Sequence, residues 1–424
     1  MAQLFSGVGN GAGLALGSLL AVELTGSDAF AGASTTAISV AAAVAAMPLA
    51  GLAIRRGRRV ALSAGLALAA LGALGMVLAP VVRSFPLLLV ASGLLGVGMA
   101  ANLQARFAAT DLADDATRGR DLGLVVWAIT IGAVGGPNLI RPGAELGAAL
   151  GLPELSGPFL FSFAGLLVAL LVLNIGLRPD PLQMARAATG DAPADVNPAA
   201  AVRGAPGRPS LREGMAALRD YPAARMGIAA IVGAHLIMVA VMSMTPVHLK
   251  NLAASEVAHA GHAVGGQVPA DALVIIGFTI SLHIAGMYAL SPLVGLLADR
   301  WGRPRTMLLA QAVFAASLLT SALGSQSRPA VVVGLVLLGL GWSLATVSGS
   351  AFVSESVPGQ VRVLVQGAAD ALMGAAGALG AALSGVVLAL AGFGGLNYAA
   401  MAVAAFVGAW CLRVVFATSF SPRP

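Results

Sequence analysis

Charged residues make up only 10% of this 424-residue chain, against roughly 25% in an average soluble domain. That paucity excludes a soluble globular enzyme, a disordered chain and a coiled coil. Cysteine is nearly absent. Cys411 stands alone, so no internal disulfide can close, and cysteine-based zinc sites and iron–sulfur clusters are ruled out. No G-x-x-x-x-G-K-[ST] loop is present, so ATP is not the direct energy source, and no G-x-S-x-G elbow offers a hydrolytic nucleophile. The start, Met1-Ala2-Gln3-Leu4, has no basic n-region. The first apolar run is therefore expected to be its own insertion signal. Short strands of alternating polarity, the mark of a membrane barrel, are missing as well.

What fills the chain instead is apolar: 58% of residues are hydrophobic. Only lipid lets a chain leave so much apolar side chain outside a core. Glycine is abundant, 54 of 424 residues, which fits membrane helices whose backbones must approach closely because lipid gives no hydrophobic drive between them. Runs long enough to span about 30 Å of hydrocarbon fall near 4–24, 33–54, 60–81, 86–108, 121–141 and 157–177. Six more fall near 223–248, 272–298, 305–326, 329–352, 361–390 and 393–417. We number them spans 1 to 12. Between the sixes, residues 178–222 are rich in Pro, Ala, Asp and Arg and read as a polar linker with at most one short surface helix, near Leu211 to Leu218. The expected fold is all-α: an N-terminal six-helix bundle over 1–177, the linker, and a C-terminal bundle over 223–424.

Positive charge orients the chain. With the N-terminus inside, 20 of the 24 basic residues lie at inner loops and ends, and only Arg83, Arg141, Lys250 and Arg328 lie outside. Both termini are therefore expected in the cytoplasm, in an inner or plasma membrane. The same placement explains the basic balance of the chain, net +6, without nucleic acid. The halves repeat at nearly one offset. Pro48-Leu49-Ala50-Gly51-Leu52 returns as Pro292-Leu293-Val294-Gly295-Leu296, and Gly57-Arg58 as Gly302-Arg303. Leu94-Leu95-Gly96-Val97-Gly98 returns as Leu337-Leu338-Gly339-Leu340-Gly341. Asp111, Arg118 and Gly123 match Glu355, Arg362 and Gly367.

Six plus six spans, a linker and a duplicated loop resemble the major facilitator superfamily. The most specific piece is Gly295-Leu296-Leu297-Ala298-Asp299-Arg300-Trp301-Gly302-Arg303, which is similar to that superfamily's G-x-L-a-D-r-x-G-r loop signature. The first-half copy, Gly51-Leu52-Ala53-Ile54-Arg55-Arg56-Gly57-Arg58, is one residue short and has no acid. Gly123, Gly132 and Gly136-Pro137 resemble the span 5 pattern of the superfamily's exporters, although Ile140 and Arg141 stand where a trailing Gly pair belongs. The Arg of the multidrug antiporters, expected four residues before Gly96, is Ser92. The resemblance implies a secondary transporter working by alternating access, with proton-coupled efflux of small organic molecules as the leading reading. Nutrient uptake by a proton symporter or facilitator is the alternative. It further implies a small-molecule substrate, protons and the lipid bilayer as partners, no cofactor, no metal and a monomer.

Ionisable groups at membrane depth are costly, so each is a functional candidate. They are Glu23 in span 1, Arg106 in span 4, His235 in span 7, His283 in span 8 and Asp370 in span 11. By resemblance, all five lie on spans that line a central cavity. Gln366, Asp370, Met373 and Gly377 form one helical stripe. Asp370 either carries a proton or pairs structurally with an Arg. His283 could share a proton with Asp370, bind substrate, or simply pack with a hydrogen bond. His235, Met238, Met242 and Thr245 form a second stripe, read either as cavity lining or as packing. Glu23 reads as a carboxylate snorkelling at the outer end, or as an outer gate.

Asn102 and Arg106 lie one turn apart, and Arg106 with Asp111 reads as an ion pair at the inner end rather than a substrate clamp. Trp127, Thr130, Val134 and Asn138 share a face of span 5; Trp342, Thr346 and Ser350 share one of span 10. Both suit a medium-sized, partly apolar ligand, or else helix packing. Pseudo-symmetry predicts a cytoplasmic gate. In it, Asp299, with Arg300 and Arg303 beside it, faces Arg118 and Arg120, while Arg55, Arg56 and Arg58 face Glu355. His248, Glu256, His259 and His262 cluster before span 8, but the spacing assures no third ligand, and a solvated loop is expected there.

Overall fold

The computed structural model describes residues 1–26, 30, 32–114, 116–135, 139–189, 211–259 and 270–419. Every regular element among them is helical. In the first half these are α1 (Ala2–Thr25), α2 (Ala33–Arg56), α3 (Arg58–Val81), α4 (Phe85–Ala108), α5 (Arg118–Trp127), α6 (Ile129–Gly135), α7 (Ile140–Ala149) and α8 (Pro158–Gly176). The linker region holds α9 (Pro181–Thr189) and α10 (Leu211–Ala217). The second half has α11 (Pro222–His259), α12 (Ala270–Tyr288), α13 (Ser291–Trp301), α14 (Arg303–Leu323), α15 (Arg328–Glu355) and α16 (Gly359–Ser419).

Nine stretches among the described residues are long and apolar enough to cross a membrane. One of them, Gly359–Arg413, holds spans 11 and 12; its helix is interrupted at Gly392, whose φ of 68° is left-handed. The chain is an all-α polytopic membrane protein.

Local chemistry sets the boundaries. Proline stands in the first turn of α4, α8, α13, α14 and α15, where its fixed φ suits a helix and its missing N–H leaves no bond unmade. Ser84 caps α4, accepting from the Leu87 amide at 3.3 Å. The tight connections α2–α3 and α13–α14 each turn on one glycine, Gly57 at φ 90° and Gly302 at φ 95°. A side chain would be strained at either.

The structure corrects five expectations. Span 5 is broken at Ala128 into α5 and α6, and span 8 breaks between Tyr288 and Ser291 into α12 and α13. Span 7 runs on to His259 as part of α11, so His248 and His259 are helical and not in a loop. The linker region carries two helices instead of at most one, and α7 occupies what reads in the sequence as a plain connection.

One apolar core is built from α1 to α4 and α8, and a second from α11 to α16 together with Leu122 and Val126 of α5. Helix α5 thus packs its apolar face on the other half. The halves meet along two seams, α2 on α16 and α5 on α13. Small residues make both seams possible. A Cβ on Gly295 would strike the Gly119 carbonyl, and one on Gly374 would lie 2.9 Å from the Ala43 Cα. Such backbone proximity gives dispersion and polar contacts a role that lipid denies to hydrophobicity. We call the end of the bundle that carries Gly57, Gly302 and α9 the linker end.

Candidate transport site

The linker end of α4 meets α15 and α16. Arg106, 3% exposed, donates through Nη2 to Asp370 Oδ1 at 2.6 Å and through Nε to Ser350 Oγ at 3.0 Å. Its guanidinium also covers the Phe107 ring, 4.6 Å from the centroid. Arg106 comes from the first half and Asp370 from the second, so the pair bridges the halves. Each partner keeps one buried atom without a hydrogen bond, Nη1 of Arg106 and Oδ2 of Asp370; Thr346 Oγ1 on α15 and Thr130 Oγ1 are also unpaired. Buried polar atoms are normally satisfied, so these orphans mark places where water or a ligand can bind.

The expected Arg106–Asp111 pair does not form. Helix α4 ends at Ala108, so Asp111 lies beyond it, in the turn that follows. Asp111 instead receives Arg58, Nε to Oδ2 at 2.8 Å and Nη2 to Oδ1 at 3.1 Å. Arg58 Nη2 also reaches across to Gln366 Oε1 at 2.6 Å, and Gln366 Nε2 donates to Ser354 Oγ at 3.0 Å. Gln366 is therefore committed to this junction and not to an open cavity.

Two cross-half bonds join residues that are each other's counterparts in the repeat. Arg106 meets Ser350, and Thr110 Oγ1 donates to Ser354 Oγ at 3.3 Å, both 244 residues apart. The ends of α4 and α15 therefore meet on the pseudo-twofold axis.

At the linker end, Asp299 faces the start of α5, where it holds backbone amides and not the Arg118 or Arg120 guanidinium. It accepts from the Gly119 and Arg120 amides at 2.9 and 2.8 Å. A carboxylate at a helix N-terminus is favoured by both the free N–H groups and the helix dipole. The Arg120 side chain turns to Asp121, and Arg118 Nη2 donates to the Ala113 carbonyl at 3.1 Å.

The other half of the predicted gate is corrected. Glu355 is held by Arg303 Nη2 at 2.8 Å, with Arg118 Nη1 at 3.8 Å, and Arg303 also pairs with Asp299 at 2.7 Å. Arg55 and Arg56 are exposed, with Arg55 Nε donating to its own helix at Gly51. Arg58 is buried on Asp111. The reason is the repeat itself: Arg58–Asp111 in one half is the counterpart of Arg303–Glu355 in the other. Arg300 is exposed at the end of α13.

The acid missing from the first-half loop comes from the linker region. Asp180 Oδ2 accepts from the Arg59 amide at 2.8 Å, while Oδ1 caps α9 through Leu182 and Gln183. Arg186 of α9 donates to the Ile54 carbonyl at 2.7 Å. Leu182 enters an apolar cluster with Ala50, Ala53 and Ala61 of the first half and Val363 of the second.

Deeper in the second half, Trp342 Nε1 donates to His235 Nδ1 at 3.3 Å, and the Tyr288 ring stands edge-on to Trp342 at 5.6 Å. The charge of Arg106 reaches both His235 and Tyr288. His283 is buried and bonds through Nδ1 to the Leu335 carbonyl at 2.8 Å; its Nε2 is unpaired, and it makes no bond to Asp370. Met238 and Met242 sit in the apolar core of α11 to α16, which is the packing alternative. Asn102 accepts from Ser6 at 2.7 Å, joining α4 to α1. Glu23 is exposed near the end of α1. Trp127 shares an exposed face of α5 and α6 with Leu124 and Ile131.

Asn138, Gly136, Pro137 and His262 lie outside the described residues. No cluster of three metal-ligating side chains occurs among the residues described. His248 stacks on Phe393 at 4.0 Å and bonds the Ser325 carbonyl. Sequence reasoning missed Tyr288, Thr110, Ser354 and Asp180. The repeat offset alone would have paired Thr110 with Ser354.

The family model for the Major Facilitator Superfamily matches residues 1–277 and 269–424. The chain belongs to that superfamily. It is 37% identical over 389 residues to the MFS-type transporter YddS of Bacillus subtilis, covering 91% of this chain and 83% of that one. The fold also matches the human organic anion transporter MFSD10, with a TM-score of 0.67 at 17% identity, covering 96% of this chain and 99% of that one. The E. coli fucose:proton symporter FucP matches with a TM-score of 0.65 at 16% identity, covering 97% and 98%. The protein is a secondary transporter and not an enzyme. The buried polar junction between its halves holds hydrogen-bonding atoms left unpaired among the described residues.

Proposed function

We propose that this transporter moves a small organic solute by alternating access, with Asp370 as the proton site and export as the direction. Two lobes, residues 1–177 and 223–424, rock about the junction of α4, α15 and α16, and the linker joins them. Both termini lie in the cytoplasm, the protein works as a monomer in an inner or plasma membrane, and the linker end is the cytoplasmic end. One observation carries this reading. Arg106 and Asp370 form a buried pair across the halves, and each keeps a free hydrogen-bonding atom. Protonation of Asp370 removes the charge that holds the pair and frees the halves to part. The glycine pattern of span 5 supports export.

The test is flux in proteoliposomes with and without a pH gradient, using a solute identified by thermal shift on the purified protein. Asp370→Asn should abolish gradient-driven accumulation and spare equilibrium exchange. Gradient-driven accumulation by this variant refutes the proton site. Direction is read from rates under matched gradients: faster solute entry into right-side-out than into inverted vesicles, where the proposal expects the reverse, speaks for uptake in place of export.

A further inference from the structure

Arg106 and Asp370 respond differently when a ligand displaces one of them. A guanidinium stays charged at any physiological pH. A carboxylate can be neutralised by one proton. A cationic solute that took Asp370 would strand Arg106, a buried cation with no means of discharge. An anionic solute that took Arg106 would strand Asp370 only until a proton arrived.

The neighbouring buried cations are already engaged, Arg58 by Asp111 and Gln366, and Arg303 by Asp299 and Glu355. Arg106 is different. Its Nη1 is buried and unpaired, and its Nη2 would be vacated by a protonated Asp370. Those two nitrogens can grip a carboxylate-like group in the two-pronged manner of guanidinium–oxyanion pairs. The Arg106 charge reaches His235 and Tyr288, and Trp342 contacts both of these, with Thr346 Oγ1 unpaired one turn along α15 from Trp342. Aromatic side chains of this kind suit a flat, apolar body. The charged or titratable groups acting on Asp370 are Arg106 and Arg58; His235 faces α16 at Gly377.

We infer that the solute is a small organic monoanion with a flat apolar body, held by Arg106 while Asp370 takes up one proton, so that the loaded site is neutral overall. This rests on Asp370 being the proton site proposed above. It also makes proton and anion fellow passengers rather than competitors, so export of the pair runs down the solute's own gradient and is not driven by an inward proton gradient.

The experiment uses the purified full-length protein with three matched probe sets. The sets are benzoate, phenylacetate and 1-naphthoate; the corresponding amides; and the corresponding amidines. Thermal shift reads binding, and a pH electrode in weak buffer reads protons. The carboxylates should stabilise the protein, more at mildly acidic than at mildly alkaline pH, and each bound anion should withdraw about one proton from solution. Asp370→Asn should still bind the carboxylate but lose both the proton uptake and the pH dependence. Arg106→Lys, which keeps the charge and so guards against misfolding, should bind at least tenfold more weakly.

Stabilisation by amidines or amides in preference to carboxylates overturns the inference, as does silence from every carboxylate. The two readings fail differently. Amidine binding that releases a proton spares Asp370 as the proton site and sinks the anion. Carboxylate binding without proton uptake spares the anion and sinks Asp370.

Discussion

Asp299→Asn tests whether closure of the linker end depends on a helix cap supplied by the opposite half. Asp299 holds the Gly119 and Arg120 amides with separate oxygens. An amide side chain offers one oxygen and one NH2, so one backbone donor is left facing another donor. Hydrogen bonds to charged groups contribute about 1.5–3 kcal/mol. The helix dipole adds a few tenths to one more. Arg303 loses Asp299 but keeps Glu355, which limits the damage within the second half.

A net loss of about 2–3 kcal/mol to the closed form corresponds to a shift of roughly 30- to 150-fold in the open-to-closed ratio. The readout should be remote from the mutated contact. Spin labels on Arg56Cys and Gln360Cys, both exposed at the linker end of the other seam, report whether α2 and α16 part. Native Cys411 is fully buried and does not label. The expected result is a longer label-to-label distance gaining population in Asp299→Asn, with an unchanged melting temperature. An unaltered distance distribution refutes the cap as a latch.

Four further outcomes follow from the same contacts. Asp370→Asn should lose gradient-driven flux and keep exchange, as proposed above. Asp111→Ala leaves Arg58 buried without its counter-ion, which costs about 3–5 kcal/mol and should show as a marked fall in melting temperature; Arg58→Met with Asp111→Leu should recover most of it, and no recovery would show the pair does more than neutralise itself. Asp180→Ala removes an acceptor shared by Arg59, Leu182 and Gln183, so hydrogen exchange over 181–189 should quicken; unchanged protection there would mean α9 is held by Leu182 and Arg186 alone. Gly295→Leu drives a side chain into the Gly119 backbone and should open the Arg56–Gln360 distance as Asp299→Asn does.

Periodicity and positive charge made the spans legible because lipid imposes a length and a polarity that the sequence must obey. Breaks inside spans were not legible. Span 8 parts just before Pro292, yet its counterpart Pro48 sits inside an unbroken α2, so the residue alone does not decide. The buried ionisable residues were found from cost, and Asp370, Arg106, His235 and His283 are all buried. Their partners were harder. Nearness in sequence points Arg106 to Asp111, whereas its actual partners are distant and meet only when α4, α15 and α16 converge. The within-half pairs were readable in principle, since Arg58 and Asp111 repeat as Arg303 and Glu355. Asp180 carried no signal, because a linker acid is ordinary until α9 docks.

The pattern of ion pairs separates what can move from what cannot. Arg58 keeps Asp111 within the first half, and Arg303 keeps Asp299 and Glu355 within the second. Those charges stay compensated however the lobes are set. Bonds that cross between the halves are mostly of a kind water can replace: Thr110 to Ser354, Ser291 Oγ to the Gly123 carbonyl, Arg58 to Gln366. Arg118 also reaches Glu355 across the halves, but Glu355 keeps Arg303; among the described residues Arg106 and Asp370 differ in that both members of the pair find their counter-charge on the far side. Under the proposed rocking, parting the lobes leaves a lone cation in one and a lone anion in the other, both at membrane depth where bare charge is expensive. A proton answers the second and an anion the first. The pair therefore ties lobe separation to charge: the unprotonated pair holds the halves together, and a proton on Asp370 with an anion on Arg106 leaves no charge to hold them there.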